Sequence, residues 1–506
     1  MPELSLPFLT VTVLAPALGA FGVLRTKSAS MARAIAAAAV GCSLLASCAA
    51  LWEVTERGGG SLAEPWSLPS LGSAHPWFAA DALNALALVV FAALALLTVL
   101  VAPRRDIGRP LLAQTLLLVS ATQTVYATEH LLLLVVAWTL ASLPLLIAKH
   151  PAVNGAAQSR AAALPRIALG SSTAALAGAV ALIVNDAAAA GVTAPFSLSA
   201  LKDGSSPGGT WAFALLMAAV LLGKGIFPMH SWVVSAFDRG PLLTASLLVN
   251  GHLGAFLVAR VAIPVLPDVA LRALPFLSDV ALFTVLYTAV LALCEREPRR
   301  LFGLLLVGQA SSILVGLESA TEPGVTGALV HWIVVAASTT CLAAVYRLVE
   351  TRVGGRITGD RFLGLAGSFP RLAVFFLVSG LALIGLPGTL GFCAEDLLIH
   401  GTLESHPQLG VALPIATALF AFHIFRLFAI LFLGKRPSGL FGVPDALPRE
   451  RFCLAAIVVF LVVTGVAPAW IVSQRAQAAG ALVDNLRRAN VASHPARTPQ
   501  APSLTP

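Results

Sequence analysis

Trp211-Ala-Phe-Ala-Leu-Leu-Met-Ala-Ala-Val-Leu-Leu-Gly-Lys224-Gly-Ile-Phe-Pro228 is an apolar helical run with a lysine four residues before a helix-breaking proline. A cation at bilayer depth costs roughly 2.5–3.5 kcal/mol on insertion scales. A chain that keeps one there has a use for it, and the movement of ions or protons is the use that fits. Lys224 can also be read as snorkelling to an interface, since the run ends within a turn or two of it.

The rest of the chain sets this run among many like it. Of 506 residues, 58% are hydrophobic and 11% charged, against about 25% charged in an average soluble domain. Nearly every long segment is a candidate span. Fourteen can be drawn, at about 4–24, 31–52, 78–102, 110–128, 130–148, 160–186, 210–237, 241–262, 272–294, 299–318, 324–348, 370–400, 408–433 and 452–474. The first reads as a retained span, because no basic segment precedes it and no small-residue cleavage site stands out.

Lysine and arginine placement orients the spans. With the N-terminus outside, the inward loops hold 22 basic residues, Lys149 and Arg436 among them; the outward loops hold four, Arg57, Lys202, Arg260 and Arg272. An even number of spans puts both termini on the non-cytoplasmic side of a cell inner membrane. The net charge of +8 is thus spent on topology. No basic patch is interleaved with aromatics, which argues against nucleic acid. The six cysteines form no Cys-x-x-Cys pair, and there is no glycine-rich phosphate loop. The sequence makes no case for a metal or cofactor, so any redox chemistry belongs to a partner. From residue 474 the chain is rich in Ala, Ser, Pro and Thr, which predicts partial helix near 476–488 and disorder beyond.

Two spans carry an internal proline in similar places. One reads Gly223-Lys224-Gly-Ile-Phe-Pro228-Met-His230-Ser-Trp232; the other reads Gly385-Leu-Pro387-Gly388-Thr-Leu-Gly391-Phe-Cys-Ala-Glu395-Asp396. Proline removes an intrahelical hydrogen bond, and the freed carbonyls need other partners in lipid. Interrupted spans at corresponding places in two halves point to a transport site. Proline kinks are also common packing features; an ionisable residue within two turns of each proline favours the functional reading.

These motifs resemble a known family. Gly223-Lys224-x-x-x-Pro228-x-His230-x-Trp232, then Gly240-Pro241, is similar to helices 7 and 8 of antiporter-like subunits. Such subunits occur in respiratory complex I, Mrp-type sodium/proton antiporters and membrane-bound hydrogenases, and a related one serves a bicarbonate-accumulating complex. Leu386-Pro387-Gly388-x-x-Gly391-Phe392-x-x-Glu395 resembles the twelfth helix. Phe425-Arg426-Leu427-Phe428, with Phe432-x-Gly434, resembles the thirteenth. The resemblance covers about residues 110–435. It implies an all-α polytopic membrane protein of about fourteen helices, with two five-helix inverted repeats and breaks in helices 7 and 12. The implied divisions are 1–109 for helices 1–3, 110–262 and 263–435 for the two halves, 436–474 for helix 14, and 475–506 for a polar tail.

In that family a row of lysine, histidine and glutamate with internal water carries protons. The resemblance places Lys224, His331 and Glu395 in that row, with His252 a partial replacement for a histidine expected near Leu247. Three family residues are missing. Trp138-Thr139 stands where the family has Trp-Glu, and Val335 and Thr339 stand where the eleventh helix has a second histidine and a lysine. Thr139 accepts a hydrogen bond but neither stabilises charge nor titrates. His331 and His252 also read as satisfied structural histidines. His230 suits a freed carbonyl as well as a relay. Asp396, adjacent to Glu395, points to another face. His423 and Arg426 lie three apart, and Arg426 suits a carboxylate or a helix end. Gln309, Ser311 and Ser312 read as interhelical glue.

Two functions follow. One is a proton- or cation-translocating subunit among other membrane subunits and lipid, in a complex of the NADH-quinone oxidoreductase or Mrp type. The other is a membrane scaffold or energising subunit of a bicarbonate-uptake complex with a soluble zinc-containing partner.

Overall fold

The computed structural model describes residues 2–64, 75–147, 156–202, 209–435 and 442–493. Lys149, Arg436 and the tail beyond 493 lie outside these residues. Helices dominate. In the first third they are α1 (Phe8–Arg25), α2 (Ala29–Glu56), α3 (Ala85–Val101), α4 (Arg109–Ala127), α5 (Leu131–Leu146), α6 (Ala156–Ala189) and the short α7 (Leu198–Lys202). There follow α8 (Thr210–Lys224), α9 (Ser231–Arg239), α10 (Leu242–Asn250), α11 (Leu253–Leu257) and α12 (Ile263–Val265), the last two joined by a π-helical turn over Val258–Ala262. The remainder are α13 (Pro267–Cys294), α14 (Pro298–Leu317), α15 (Glu322–Val353), α16 (Pro370–Leu383), α17 (Leu390–Ser405), α18 (Pro407–Phe432), α19 (Pro448–Val466) and α20 (Ala469–Ser493). Two two-residue strands, β1 (Leu62–Ala63) and β2 (Ala79–Ala80), pair antiparallel beside the start of α3.

Among the described residues, eight helices are long and apolar enough to cross a membrane. A ninth arises if α19 and α20, bent 79° apart, make one span. α3, α5, α8 and α16 are shorter apolar helices; α8 and α16 are each followed by a break and a second helix. The chain is a multi-pass helical membrane protein.

The core is a set of spans sealed from the perimeter. α15 and the run from α10 to α12 are buried over the whole apolar window of each, and α14 almost so. α15 starts where the Thr321 hydroxyl accepts from the Gly324 N–H at 3.2 Å, and stops at Gly354, φ 86°. It packs on α17 at Gly327, where a Cβ would run into the backbone of Leu397 and Leu398. Small residues at such crossings matter because lipid gives helices no hydrophobic reason to associate.

Three regions differ from the sequence expectation. The span expected at 241–262 is interrupted at Gly251–His252, with no proline there to announce it. Arg260, expected in an outward loop, is 2% exposed in the π-helical turn. Carboxylates in reach explain this: Arg260 donates to Asp81 and to Glu129, and the ion pairs offset its burial. The final span ends at Val466, and α20 packs against α13 and α15 from Ala469 on. Its Arg475, 3% exposed, donates to Ala82 O at 2.7 Å and Leu83 O at 3.0 Å.

Candidate functional site

Lys224 is the last residue of α8. Gly225 adopts the left-handed region at φ 70°, which ends the helix, and Pro228 prevents its resumption. The groups freed by the break find partners: Trp232 Nε1 donates to Leu222 O at 2.8 Å, and the Phe227 N–H donates to Thr284 Oγ1 at 3.2 Å. The lysine itself is 4% exposed, and its Nζ has no hydrogen-bond partner among the described residues.

The second interruption brings His252 to the lysine. His252 takes φ 44°, the left-handed region that a residue with a Cβ adopts only under strain. It opens α11, while the Gly251 carbonyl accepts from the Tyr126 hydroxyl. Lys224, His252, Trp138, Gly254 and Ala310 line one cavity of about 30 Å³. A cavity needs roughly 10–15 Å³ to hold a water. Gly254 has a reason to be glycine, since a Cβ there would stand 2.6 Å from Lys224 Cγ.

His331, on α15, is 1% exposed. The ring nitrogens of His252 have no hydrogen-bond partner among the described residues, whereas the Gln309 backbone lies against the His331 ring. His252 lies within electrostatic range of both Lys224 and His331 and meets the neighbouring Trp332 ring edge-on at 5.7 Å. The structure therefore gathers Lys224, His252 and His331 in the sealed centre, from α8, the α10–α11 break and α15.

Glu395 stands apart from that group. It sits one turn into α17, beyond a break at which Gly385 and Gly388 take φ 71° and 87°; it accepts from Thr417 of α18 at 3.3 Å. Among the described residues no interaction links it directly to Lys224, His252 or His331. Asp396 faces outward, 54% exposed, 3.4 Å from His400. His230 stacks on Phe227 and meets Tyr287 edge-on at 5.2 Å. It also lines a cavity of about 250 Å³ shared with Asp238, Glu295 and Arg300. His423 Nε2 donates to Ala289 O at 2.7 Å, and Arg426 donates to Ala292 O, Leu293 O and Glu295 O. Both thus serve carbonyls at the end of α13.

The positions where the family acid and lysine are missing are occupied in different ways. Thr139, half-buried, donates to Val135 O of its own helix at 2.8 Å; the neighbouring Trp138 faces the lysine cavity. Thr339 donates to Asn250 Oδ1 at 2.9 Å, and Asn250 Nδ2 donates to Thr340 Oγ1 at 3.0 Å. This neutral bridge ties α15 to α10 one residue before the break. Sequence reading noted Asn250 only as a neighbour of His252 and overlooked Tyr126, Glu129 and Glu318. The buried carboxylates are the least legible, because each lies at a helix end where an acid normally meets water.

Interrupted apolar helices around a sealed group of ionisable side chains define a polytopic helical membrane protein. The chain belongs to the NADH:quinone oxidoreductase/Mrp antiporter transmembrane family, whose model matches residues 128–421. It is 23% identical over 268 residues to NADH-quinone oxidoreductase subunit M of Rickettsia bellii, covering 52% of this chain and 53% of the relative. It is 25% identical over 280 residues to F(420)H(2) dehydrogenase subunit M of Methanosarcina mazei, covering 54% of each. The chain thus spans about half the length of the curated relatives it matches. Likeness in fold reaches further. A chain of respiratory complex I from Thermus thermophilus superposes with TM-score 0.82 at 24% identity, over 94% of this chain and 99% of that one. A chain of the Mrp complex from Dietzia gives TM-score 0.80 at 20% identity, over 96% and 99%.

Proposed function

We propose that this chain is a proton-translocating membrane subunit of a multi-subunit complex of the complex I or Mrp type, seated in a cell inner membrane. The observation that carries the reading is the sealed trio. Lys224 Nζ and the ring nitrogens of His252 are buried without protein partners, beside a buried His331, yet buried polar groups are nearly always hydrogen-bonded. Bound water in the shared cavity satisfies Lys224 and His252 and links them to His331 as a relay. Protons pass between Lys224, His252 and His331, and water bridges the longer step to Glu395. His230 and its larger cavity form an approach to the first break, and Pro228, Pro387 and Gly388 hold the two breaks open. Asp396, His423 and Arg426 lie outside this path.

The reading includes fourteen spans, counting α8 with α9 and α16 with α17 as one each, and two five-span inverted repeats. It places both termini on the non-cytoplasmic side. Replacing Lys224 with alanine abolishes proton flux in vesicles carrying the assembled complex; full flux in that variant removes the assignment.

A second reading draws on Thr139 and Thr339, which leave two charge positions of the family neutral. Under it the chain energises or anchors a soluble zinc-containing partner in bicarbonate uptake. Mass spectrometry of the co-purified complex separates the two: oxidoreductase or antiporter subunits favour the first, a single zinc protein the second.

A further inference from the structure

Glu318 follows the last residue of α14, and its N–H donates to Leu314 O at 3.0 Å. The side chain turns inward and is 3% exposed, with Oε2 buried and without a hydrogen-bond partner among the described residues. A helix-end role does not account for it, because a carboxylate at a C-terminus faces the negative end of the helix dipole. What does account for it is a neighbouring cation. α14 packs on α8, which ends in Lys224, and on α11, which follows His252. Glu318 and Lys224 lie within electrostatic range, and Glu318 is the one acid that acts on Lys224 among the described residues. Each charge alone is costly in a sealed interior, and opposite charges in range offset part of that cost.

The surroundings extend the connection outward. Asp279 of α13 also acts on Glu318 and is exposed. Its neighbour Ser278 donates to Val315 O at 3.5 Å, which sets α13 against the last turn of α14. Burial thus grades from Lys224 and Glu318, both sealed, to Asp279 on the perimeter of α13, near exposed Phe276 and Phe283.

We propose that Glu318 is the counter-charge and next proton station for Lys224, in place of the acid missing at Thr139, with Asp279 on the perimeter of α13 as the station after it. This rests on the relay reading of Lys224. The steps balance as proton transfers. The Lys224 ammonium gives its proton through water to the Glu318 carboxylate, leaving amine and carboxylic acid. Glu318 then passes the proton to the Asp279 carboxylate, leaving a carboxylate at Glu318 and a carboxylic acid at Asp279.

The test is proton flux across a pH series in vesicles carrying the assembled complex, for wild type, K224A, E318Q, E318D and D279N. E318Q lowers flux by about tenfold or more, as loss of a positioned proton-transfer group does. E318D keeps a carboxylate, retains part of the flux and displaces its pH midpoint. D279N has a smaller effect than E318Q. Lys224 and Asp279 are the charged groups that act on Glu318, and Lys224 acts on His252 in turn, so the midpoint reports this cluster. Full flux in E318Q beside a silent K224A overturns the inference and leaves the reading of Lys224 standing. Full flux in K224A overturns both. If E318Q does not assemble, E318D decides, and an unchanged pH midpoint there overturns the inference.

Discussion

Gly254 and Lys224 are in van der Waals contact across the break in the eighth expected span: a Cβ on the glycine would stand 2.6 Å from Lys224 Cγ and 2.8 Å from Cδ. The lysine stem therefore has one lane between α8 and α11. Replacing Gly254 with alanine pushes the stem out of that lane, at a packing cost of about 1–3 kcal/mol. We expect G254A to assemble with reduced proton flux and G254V to reduce it further. Vesicle flux normalised to assembled complex measures both, and equal flux in wild type and G254V contradicts the expectation.

The break at His252 depends on a single hydroxyl. Tyr126 satisfies the Gly251 carbonyl that the interrupted helix leaves free. Tyr126→Phe keeps the ring and leaves that carbonyl unsatisfied, which costs about 1–3 kcal/mol. Thermal unfolding in detergent shows a lowered midpoint for Y126F, and Y126W does not restore it.

Arg260 is held by carboxylates from two other segments, Asp81 before α3 and Glu129 before α5. Arg260→Ala leaves two acids without their cation, and breaking a buried pair this way costs about 3–5 kcal/mol. We expect R260A to fail assembly, and R260A combined with D81N and E129Q to recover part of it. Size-exclusion profiles of the detergent-extracted protein distinguish these outcomes.

Glu64 lies outside the spans and is 2% exposed. It accepts from the Thr10 N–H at 2.9 Å and the Thr10 hydroxyl at 2.7 Å. Burial outweighs these bonds and raises its carboxyl above the ordinary 4.5. The folded state therefore holds this proton more tightly than the unfolded chain. Its contribution to stability is fully present below pH 4.5 and declines as pH rises through the raised value. Glu64→Gln removes that slope. Melting temperatures of wild type and E64Q converge toward acid and diverge toward neutral pH, with the wild type falling behind.

The first interruption was legible because Gly225 and Pro228 announce it chemically. The second, at Gly251–His252, was not, because its cause is tertiary: Tyr126, more than a hundred residues away, accommodates the free carbonyl. Lys224 stood out as a charge inside an apolar run. Glu318 and Arg260 did not, since a charge at the end of an apolar run reads as a loop residue until the fold shows what faces it. Sequence spacing put His252 and His331 in separate spans, and only packing sets them within reach of one another. The gap before Glu395 was equally invisible, because it depends on where α17 restarts after its break.

Arg475 ties α20 to the carbonyls of Ala82 and Leu83, 392 residues or more back along the chain. During synthesis those two carbonyls emerge first and wait. At about 5–20 residues per second, Arg475 follows roughly 20–80 s later. Until then the turn that presents Asp81 to Arg260 lacks its last donors, so the N-terminal bundle inserts as an unfinished piece. Its completion waits for α20, and truncation before α20 strands the early helices in that waiting form.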